Sequence, residues 1–293
     1  MAQQQQSPLL DQDFLQKLER LTLHWQKSFA GLVGGRIPSR FSGLGQEFLD
    51  HRTFLQGDDL RAVNWRAFMR LEKLFLKMFQ VEPRIPVRIL VDCSESMENK
   101  FEYTLRLAGA LCYIGLVRLD TICIQPFRDK LDDSFLCSGG RHRFQPASTF
   151  LSGLKHGGRT NYMSVARAFA GAFPQKGLVI VMSDFLDDAE VEKPLQFLAS
   201  YGHEVSLVHL WTPEDREPPW DGELELVDAE TGTLVELSVD AKARRQYTEA
   251  FDLHARRLQD LANRSGGRYV GLPTATPIEE AIFDSLMRVG AIQ

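Results

Sequence analysis

Three short stretches of this 293-residue chain concentrate oxygen-bearing side chains. They are Asp92-Cys93-Ser94-Glu95-Ser96, Gly157-Gly158-Arg159-Thr160 and Ser183-Asp184. Together they offer the hydroxyls of Ser94, Ser96 and Thr160 and the carboxylates of Asp92 and Asp184, with no imidazole or thiolate at a required position. This hard donor set suits Mg²⁺, Mn²⁺ or Ca²⁺ rather than zinc. Neutral hydroxyls leave a bound ion electron-poor and at least one coordination position open to a partner's carboxylate. Taken alone, the D-x-S-x-S spacing reads equally well as an N-cap for the helix that follows. The other two stretches favour the metal reading.

Such residues need a frame that carries their loops to one point. Residues 87–91 are a short run, apolar but for Arg88, ending in Asp92, and residues 178–182 are an apolar run ending in Ser183-Asp184, as expected of buried parallel strands. Strand patterns recur at 121–127, 204–211 and 268–271, with residues 130–137 returning beside the second strand. Helical patterns lie between them, at 100–119, 148–154, 161–173, 189–201 and 240–263, and a last one starts at Thr276-Pro277. This alternation predicts an α/β fold with a doubly wound, mostly parallel sheet of Rossmann type. In such sheets the working residues sit past the carboxyl ends of the strands, near the point where strand order reverses. Residues 224–227 and 234–237 read as an inserted surface hairpin.

Upstream, Phe14, Leu18, Leu21 and Trp25 recur at helical spacing, which predicts a helix over 11–29. Residues 36–82 mix charge with aromatics and close on a strand at 74–81, and Pro83 and Pro86 mark a change of character. The expected organisation is a helix and charged, β-containing platform over 1–83, then an α/β domain over 84–293 with an acidic insertion at about 213–240.

The order D-x-S-x-S, distant Thr, distant Asp resembles the metal-ion-dependent adhesion site of von Willebrand factor A domains. One departure is Arg159, which stands between Gly158 and Thr160 where that family commonly shows Gly-Gly-Thr. A guanidinium there would repel a cation or hold an acidic ligand. A second set of residues is more discriminating. Gly45-Gln46-Glu47-Phe48, Arg52, Gly57-Asp58-Asp59-Leu60-Arg61, Asn64-Trp65, Ala67, Arg70, Leu74, Lys77 and Glu82 resemble the signature of the domain-of-unknown-function family 58. Members of that family place this segment just before a von Willebrand A-like domain. The Asp228–Gly232 turn and the helix carrying Tyr247 are also similar, so the likeness covers about 30–290. Asn64 stands where Asp is more usual. Many members carry two N-terminal transmembrane helices, and a chain without them resembles the soluble branch. Arg52, Asp58, Asp59, Arg61 and Arg70 read as a charge-paired network, with Trp65 and Phe68 docking it. A rigid platform is the expected role in preference to a partner-binding surface, since exposed ion pairs stabilise little.

The resemblance implies a non-enzymatic, metal-dependent protein-interaction module. Its Mg²⁺ (or Mn²⁺ or Ca²⁺) would be held by Asp92, Ser94, Ser96, Thr160 and Asp184, and would grip an acidic residue of a protein partner. The implied partner is a MoxR-type AAA+ ATPase, with this chain as an adaptor in assembly or maturation of a protein complex. The alternative is a metal-dependent phosphoesterase or nuclease at the same site, which needs a general base that only Glu95 and Glu98 are near enough to supply.

Composition narrows the field. With 44% hydrophobic and 25% charged residues and a net charge of −5, the chain reads as globular, not as a general nucleic-acid or anionic-membrane binder. The charge is uneven: residues 34–88 carry ten basic and six acidic side chains, while residues 213–240 carry one Arg and ten acids. Cys93, Cys112, Cys123 and Cys137 contain no C-x-x-C pair and read as buried residues in a reducing compartment. With no signal-peptide pattern and no apolar run long enough to span a bilayer, the expected location is cytoplasmic. A G-x-x-x-x-G-K-[ST] loop and a G-x-S-x-G elbow are both missing, and Gly43-Leu44-Gly45 lacks the third glycine of a dinucleotide loop. A haloacid-dehalogenase-type phosphatase would have Asp where Ser94 stands.

Overall fold

The computed structural model describes residues 9–23, 47–54, 63–80, 86–186, 191–228, 230 and 232–292. The chain divides into two units, one formed by residues 1–27 with 85–293 and the other by 28–84. Helix α1 (Gln12–Leu18) belongs to the first. Asp11 caps it by accepting the Phe14 N–H at 2.7 Å. The helix expected over 11–29 therefore stops at Leu18. Leu21 N–H turns back to the Leu18 carbonyl, and Leu23 forms an antiparallel bridge with Ile292. Leu21 and Leu23 are both buried, so the apolar spacing that mimics a helix is here a turn followed by an extended segment.

In the 28–84 unit, β1 (Glu47–Thr53) pairs antiparallel with β2 (Phe75–Gln80), with a register shift between Phe48 and Asp50. Helix α2 (Trp65–Leu71) lies between them in sequence and was not legible among the charges. Asn64 starts it, its side-chain oxygen accepting the Ala67 N–H at 3.3 Å. A cap needs an acceptor and not a charge, so Asn serves there as well as Asp. Within α2 the Trp65 and Phe68 rings meet edge-on with centroids 6.1 Å apart, and Arg70 occupies its last turn. Asp58, Asp59, Arg61 and the side chain of Arg52 lie outside the described residues.

The larger unit is built on the expected doubly wound sheet. Its strands are β3 (Pro86–Asp92), β4 (Thr121–Phe127), β5 (Phe135–Cys137), β6 (Leu178–Ser183), β7 (Glu204–Trp211) and β10 (Tyr269–Pro273). Their order is β10-β7-β6-β3-β4-β5, parallel except for β5, which pairs antiparallel with β4. Strands β3 and β6 are buried almost throughout; β6 is apolar up to Ser183, whereas β3 is interrupted by Arg88, which is buried with its guanidinium 5.1 Å from the Phe173 ring centroid. Successive residues of β6 face opposite layers. Val179 and Val181 join one core with Leu90, Phe127, Phe169, Phe185 and Leu258. Leu178 and Ile180 line the other face with Leu23, Leu111, Val270 and Leu286.

Helices cover both faces. On one side lie α5 (Tyr162–Ala172), α6 (Glu192–Ser200) and α8 (Ala241–Arg264); on the other lie α3 (Phe101–Val117) with α1 and α4 (Phe144–Ser152) packed on it. The grouping of α1 with the downstream α/β unit reflects its contacts. Glu19 accepts from Tyr113 OH at 3.0 Å and pairs with Arg141, and Lys17 pairs with Glu279. A short α7 (Pro213–Arg216) opens with Thr212 as a reciprocal capping box with Asp215. Next comes the two-stranded hairpin of β8 (Gly222–Val227) and β9 (Leu234–Val239), then α8 capped by Asp240. Gly267 lets β10 approach β7, because a Cβ there would lie 1.7 Å from the Val205 carbonyl oxygen. The chain closes with α9 (Ile278–Glu280) running into a π-helical turn at Ala281–Leu286. All four cysteines are free and buried, and no helix among the described residues is long and apolar enough to cross a membrane.

Candidate metal centre

Strands β3 and β6 are neighbours, but the chain continues from β3 to one side and from β6 to the other. Their carboxyl ends, Asp92 and Ser183-Asp184, therefore flank the point where strand order reverses, where doubly wound sheets place their ligands.

Asp92 is wholly buried, and each of its oxygens has a separate environment. Oδ1 accepts the Ser94 N–H at 2.9 Å, which turns the chain sharply after the strand. Oδ2 accepts from Ser183 Oγ at 2.6 Å and from Tyr162 OH at 3.4 Å, and those two hydroxyls are 2.6 Å apart. The turn past Asp92 is laced to the glycine loop. Gly157 N–H donates to the Cys93 carbonyl at 2.8 Å, and Glu95 N–H to the Gly158 carbonyl at 2.9 Å. Arg128, at the end of β4, adds a bond from Nε to the Cys93 carbonyl at 3.1 Å and an ion pair with Asp132. Gly158 has φ +82, a conformation that side chains resist, so the loop needs glycine there to reach Glu95.

These contacts bring Ser94 Oγ within 3.1 Å of Ser96 Oγ, and Thr160 Oγ1 within 3.5 Å of Asp92 Oδ1. Asp92, Ser94, Ser96 and Thr160 thus converge. Asp184, at the end of the neighbouring strand, is buried and meets Lys100 Nζ at 2.9 Å, while its Oδ1 accepts the Leu186 N–H at 3.2 Å. Lys100 also reaches Asp215 at 3.2 Å. Arg159 turns to the hairpin instead: its Nε donates to the Glu230 carbonyl at 2.9 Å. The Glu230 carboxylate faces Thr160, with Oε2 accepting the Thr160 N–H at 3.1 Å and Oε1 lying 3.4 Å from Thr160 Oγ1.

The electrostatics follow from burial and like charge. Burial pushes the Asp92 carboxyl up to about 7, and the neighbouring Asp184 charge adds to the shift against the hydrogen bonds from Ser183 and Ser94. Burial also pulls the Lys100 ammonium down, but Asp184 and Asp215 outweigh it and hold its pKa above the usual value. Nearby His209 is pushed down to about 3, first by burial and then by His254 and Lys100, so it stays neutral.

The donors suit a hard divalent ion. The Ser94 and Ser96 hydroxyls are hydrogen-bonded to each other at 3.1 Å, a separation also compatible with the edge, about 3.0 Å, of an octahedron with bonds of about 2.1 Å. Among the described residues no three His, Cys, Asp or Glu side chains group as metal ligands, so a zinc-type cluster is not formed by them. Ser94, Ser96, Thr160 and Asp92 would hold the ion, with Asp184 beside it. Sequence reasoning missed Lys100, Arg128, Tyr162, Ser183 and Glu230 as parts of this constellation. Ser183 lay in one of the three stretches without being given a role, and Glu230 lay in the Asp228–Gly232 turn, similar to the family but with nothing in its spacing to tie it to the site.

Comparison with known proteins finds relatives of undefined role. The uncharacterized protein Rv1480 of Mycobacterium tuberculosis is 23% identical over 246 residues, covering 81% of this chain and 77% of that protein. The uncharacterized protein MAV169 of Mycobacterium avium is 35% identical over 80 residues, covering 27% of this chain and 47% of its own length. Similar solved structures include BatB from Bacteroides thetaiotaomicron, at 17% identity and TM-score 0.41, covering 70% of this chain and 98% of that one. Another is the SpRpn10 VWA domain, at 12% identity and TM-score 0.37, covering 67% of this chain and 91% of that one. The model of the family described as "Protein of unknown function DUF58" matches residues 50–257, and with that match over more than two thirds of its length the chain belongs to the DUF58 family.

Proposed function

We propose that this protein is a non-enzymatic, cation-dependent protein-interaction module. Ser94, Ser96 and Thr160 hold a divalent ion, Mg²⁺ foremost, through hydroxyls, with Asp92 supplying negative charge and Asp184, which also pairs with Lys100, beside it. The bound ion would supply an electron-poor position that takes a carboxylate from a partner protein. The observation that carries this reading is the convergence of the Asp92 carboxylate and the Ser94, Ser96 and Thr160 hydroxyls at the switch point. Lys100 compensates Asp184, whereas the hydrogen-bond donors to buried Asp92 are the neutral Ser94, Ser183 and Tyr162, and such a carboxylate is costly to ionise unless a cation compensates it. By family resemblance the partner is a MoxR-type AAA+ ATPase, and the protein works in the cytoplasm as an adaptor in assembly of a larger complex.

The test is capture of that ATPase by the purified full-length chain in Mg²⁺ and in EDTA, alongside calorimetric titration with Mg²⁺. Capture should need Mg²⁺, and both capture and binding should be lost in Asp92→Ala. Capture that survives EDTA and Asp92→Ala would overturn the proposal.

A further inference from the structure

The hairpin of β8 and β9 is largely a surface feature: Val227, Leu234 and Val235 are at least half exposed. Its turn nevertheless reaches back to the strand-end loops. Asp228 Oδ1 accepts the Glu230 N–H at 3.0 Å, and the Asp228 carbonyl accepts the Gly232 N–H at 2.9 Å, which folds the tip. Arg159 then holds the Glu230 carbonyl. The result delivers one carboxylate from the most acidic stretch of the chain to the mouth of the candidate cation site.

A carboxylate that merely satisfied the Thr160 N–H would need one oxygen. Here the second, Oε1, points at Thr160 Oγ1 from 3.4 Å, while Asp92 Oδ1 lies 3.5 Å from the same hydroxyl. A threonine hydroxyl has a single proton and can donate to only one of them. Asp92 Oδ1 already accepts the Ser94 N–H at 2.9 Å, so the hydroxyl proton can go to Glu230, and the Thr160 hydroxyl stands with a carboxylate oxygen on either side, where a cation would draw both. Arg159 answers the departure from Gly-Gly-Thr in the same terms, since its guanidinium holds the acidic tip in place.

We propose that Glu230 is an internal ligand of the cation site, occupying in cis the coordination position otherwise open to a partner. The inference rests on the cation-binding reading above. A partner's acidic side chain then competes with Glu230, and release of the tip by loss of the Arg159 contact makes the position available. Arg159 acts as a positioning residue for this ligand.

The test uses Mn²⁺ as the probe and counts its exchangeable waters by proton relaxation in the full chain. In wild type Glu230 fills one position. In Glu230→Ala that position passes to about one additional water, since a six-coordinate ion keeps its coordination number. Millimolar acetate should displace the added water in Glu230→Ala and leave wild type unchanged. Arg159→Ala, which keeps the carboxylate, should give an intermediate hydration that acetate also lowers. If Mn²⁺ binds wild type and not Asp92→Ala, yet hydration is the same in wild type and Glu230→Ala, the internal ligand is refuted while the cation site stands. If Mn²⁺ fails to bind wild type, or binds Asp92→Ala equally well, both readings fall.

Discussion

Replacing Asp92 by Asn should stabilise the protein at pH 8 in the presence of EDTA, while abolishing its response to Mg²⁺. Burial and the Asp184 charge raise the Asp92 pKa from 3.8 to about 7, so between those values the folded chain holds a proton that the unfolded chain has lost. Stability from this group is therefore complete below pH 3.8 and is lost as pH rises through 7. At pH 8 the loss is on the order of 4 kcal/mol relative to the protonated carboxyl. Asparagine never ionises. Its oxygen can accept the Ser94 N–H, and its amide can donate to Ser183 Oγ once that hydroxyl turns, although both bonds are weaker than those of a carboxylate. Allowing roughly half for that weakening leaves about 2 kcal/mol of net gain, or ~5 °C in melting temperature for a unit of this size. Thermal melts of both proteins at pH 5 and pH 8 in EDTA measure it. The gain should be large at pH 8 and small at pH 5, and adding Mg²⁺ at pH 8 should raise wild type alone. A variant no more stable than wild type at pH 8 in EDTA would refute the claim that the site stores an uncompensated carboxylate.

Other expectations concern the frame around the site. Phe169, on the buried face of α5, is fully enclosed in the core, and Phe169→Ala should cost about 3–5 kcal/mol in urea unfolding; a loss below 1 kcal/mol would contradict the packing described. Gly158→Ala must force a side chain into φ +82, so it should destabilise by about 1 kcal/mol and weaken Mg²⁺ binding; unchanged melting and binding would show that the loop does not need this conformation. His209, held neutral down to about 3, favours the fold above its ordinary value of 6.5 and opposes it progressively as pH falls, by up to ~1.4 kcal/mol per pH unit. Imidazole resonances should show an uncharged His209 ring in the native state at pH 5, and a protonated ring there would contradict its burial.

The α/β sheet was legible because buried parallel strands are mostly apolar, so residues 178–182, and 87–91 despite Arg88, stood out and marked where the loops would emerge. The order of Asp92, Ser94, Ser96, Thr160 and Asp184 along those loops could be read for the same reason. What escaped depended on tertiary pairing. Lys100 reads as an ordinary helix-start lysine, yet Asp184 and Asp215 draw it into the interior. Arg128 follows a strand and carries no motif, but its guanidinium donates to the Cys93 carbonyl and to the Lys155 carbonyl just before the glycine loop, tying the two segments together. Helix α2 was hidden by the surrounding charge, and α1 was drawn too long because a turn followed by an extended segment reproduced its apolar spacing for Leu21. Family resemblance marks the Asp228–Gly232 turn, but no local rule ties Glu230 to Thr160. Only the folded hairpin brings it to Thr160.

The most direct test of the central claim is diffraction at the manganese absorption edge from crystals of the full chain grown with Mn²⁺. The predicted result is one anomalous peak about 2.1 Å from Ser94 Oγ and Ser96 Oγ, with Thr160 and the Glu230 carboxylate completing its surroundings. Ordered density for these side chains with no peak among them would contradict the account.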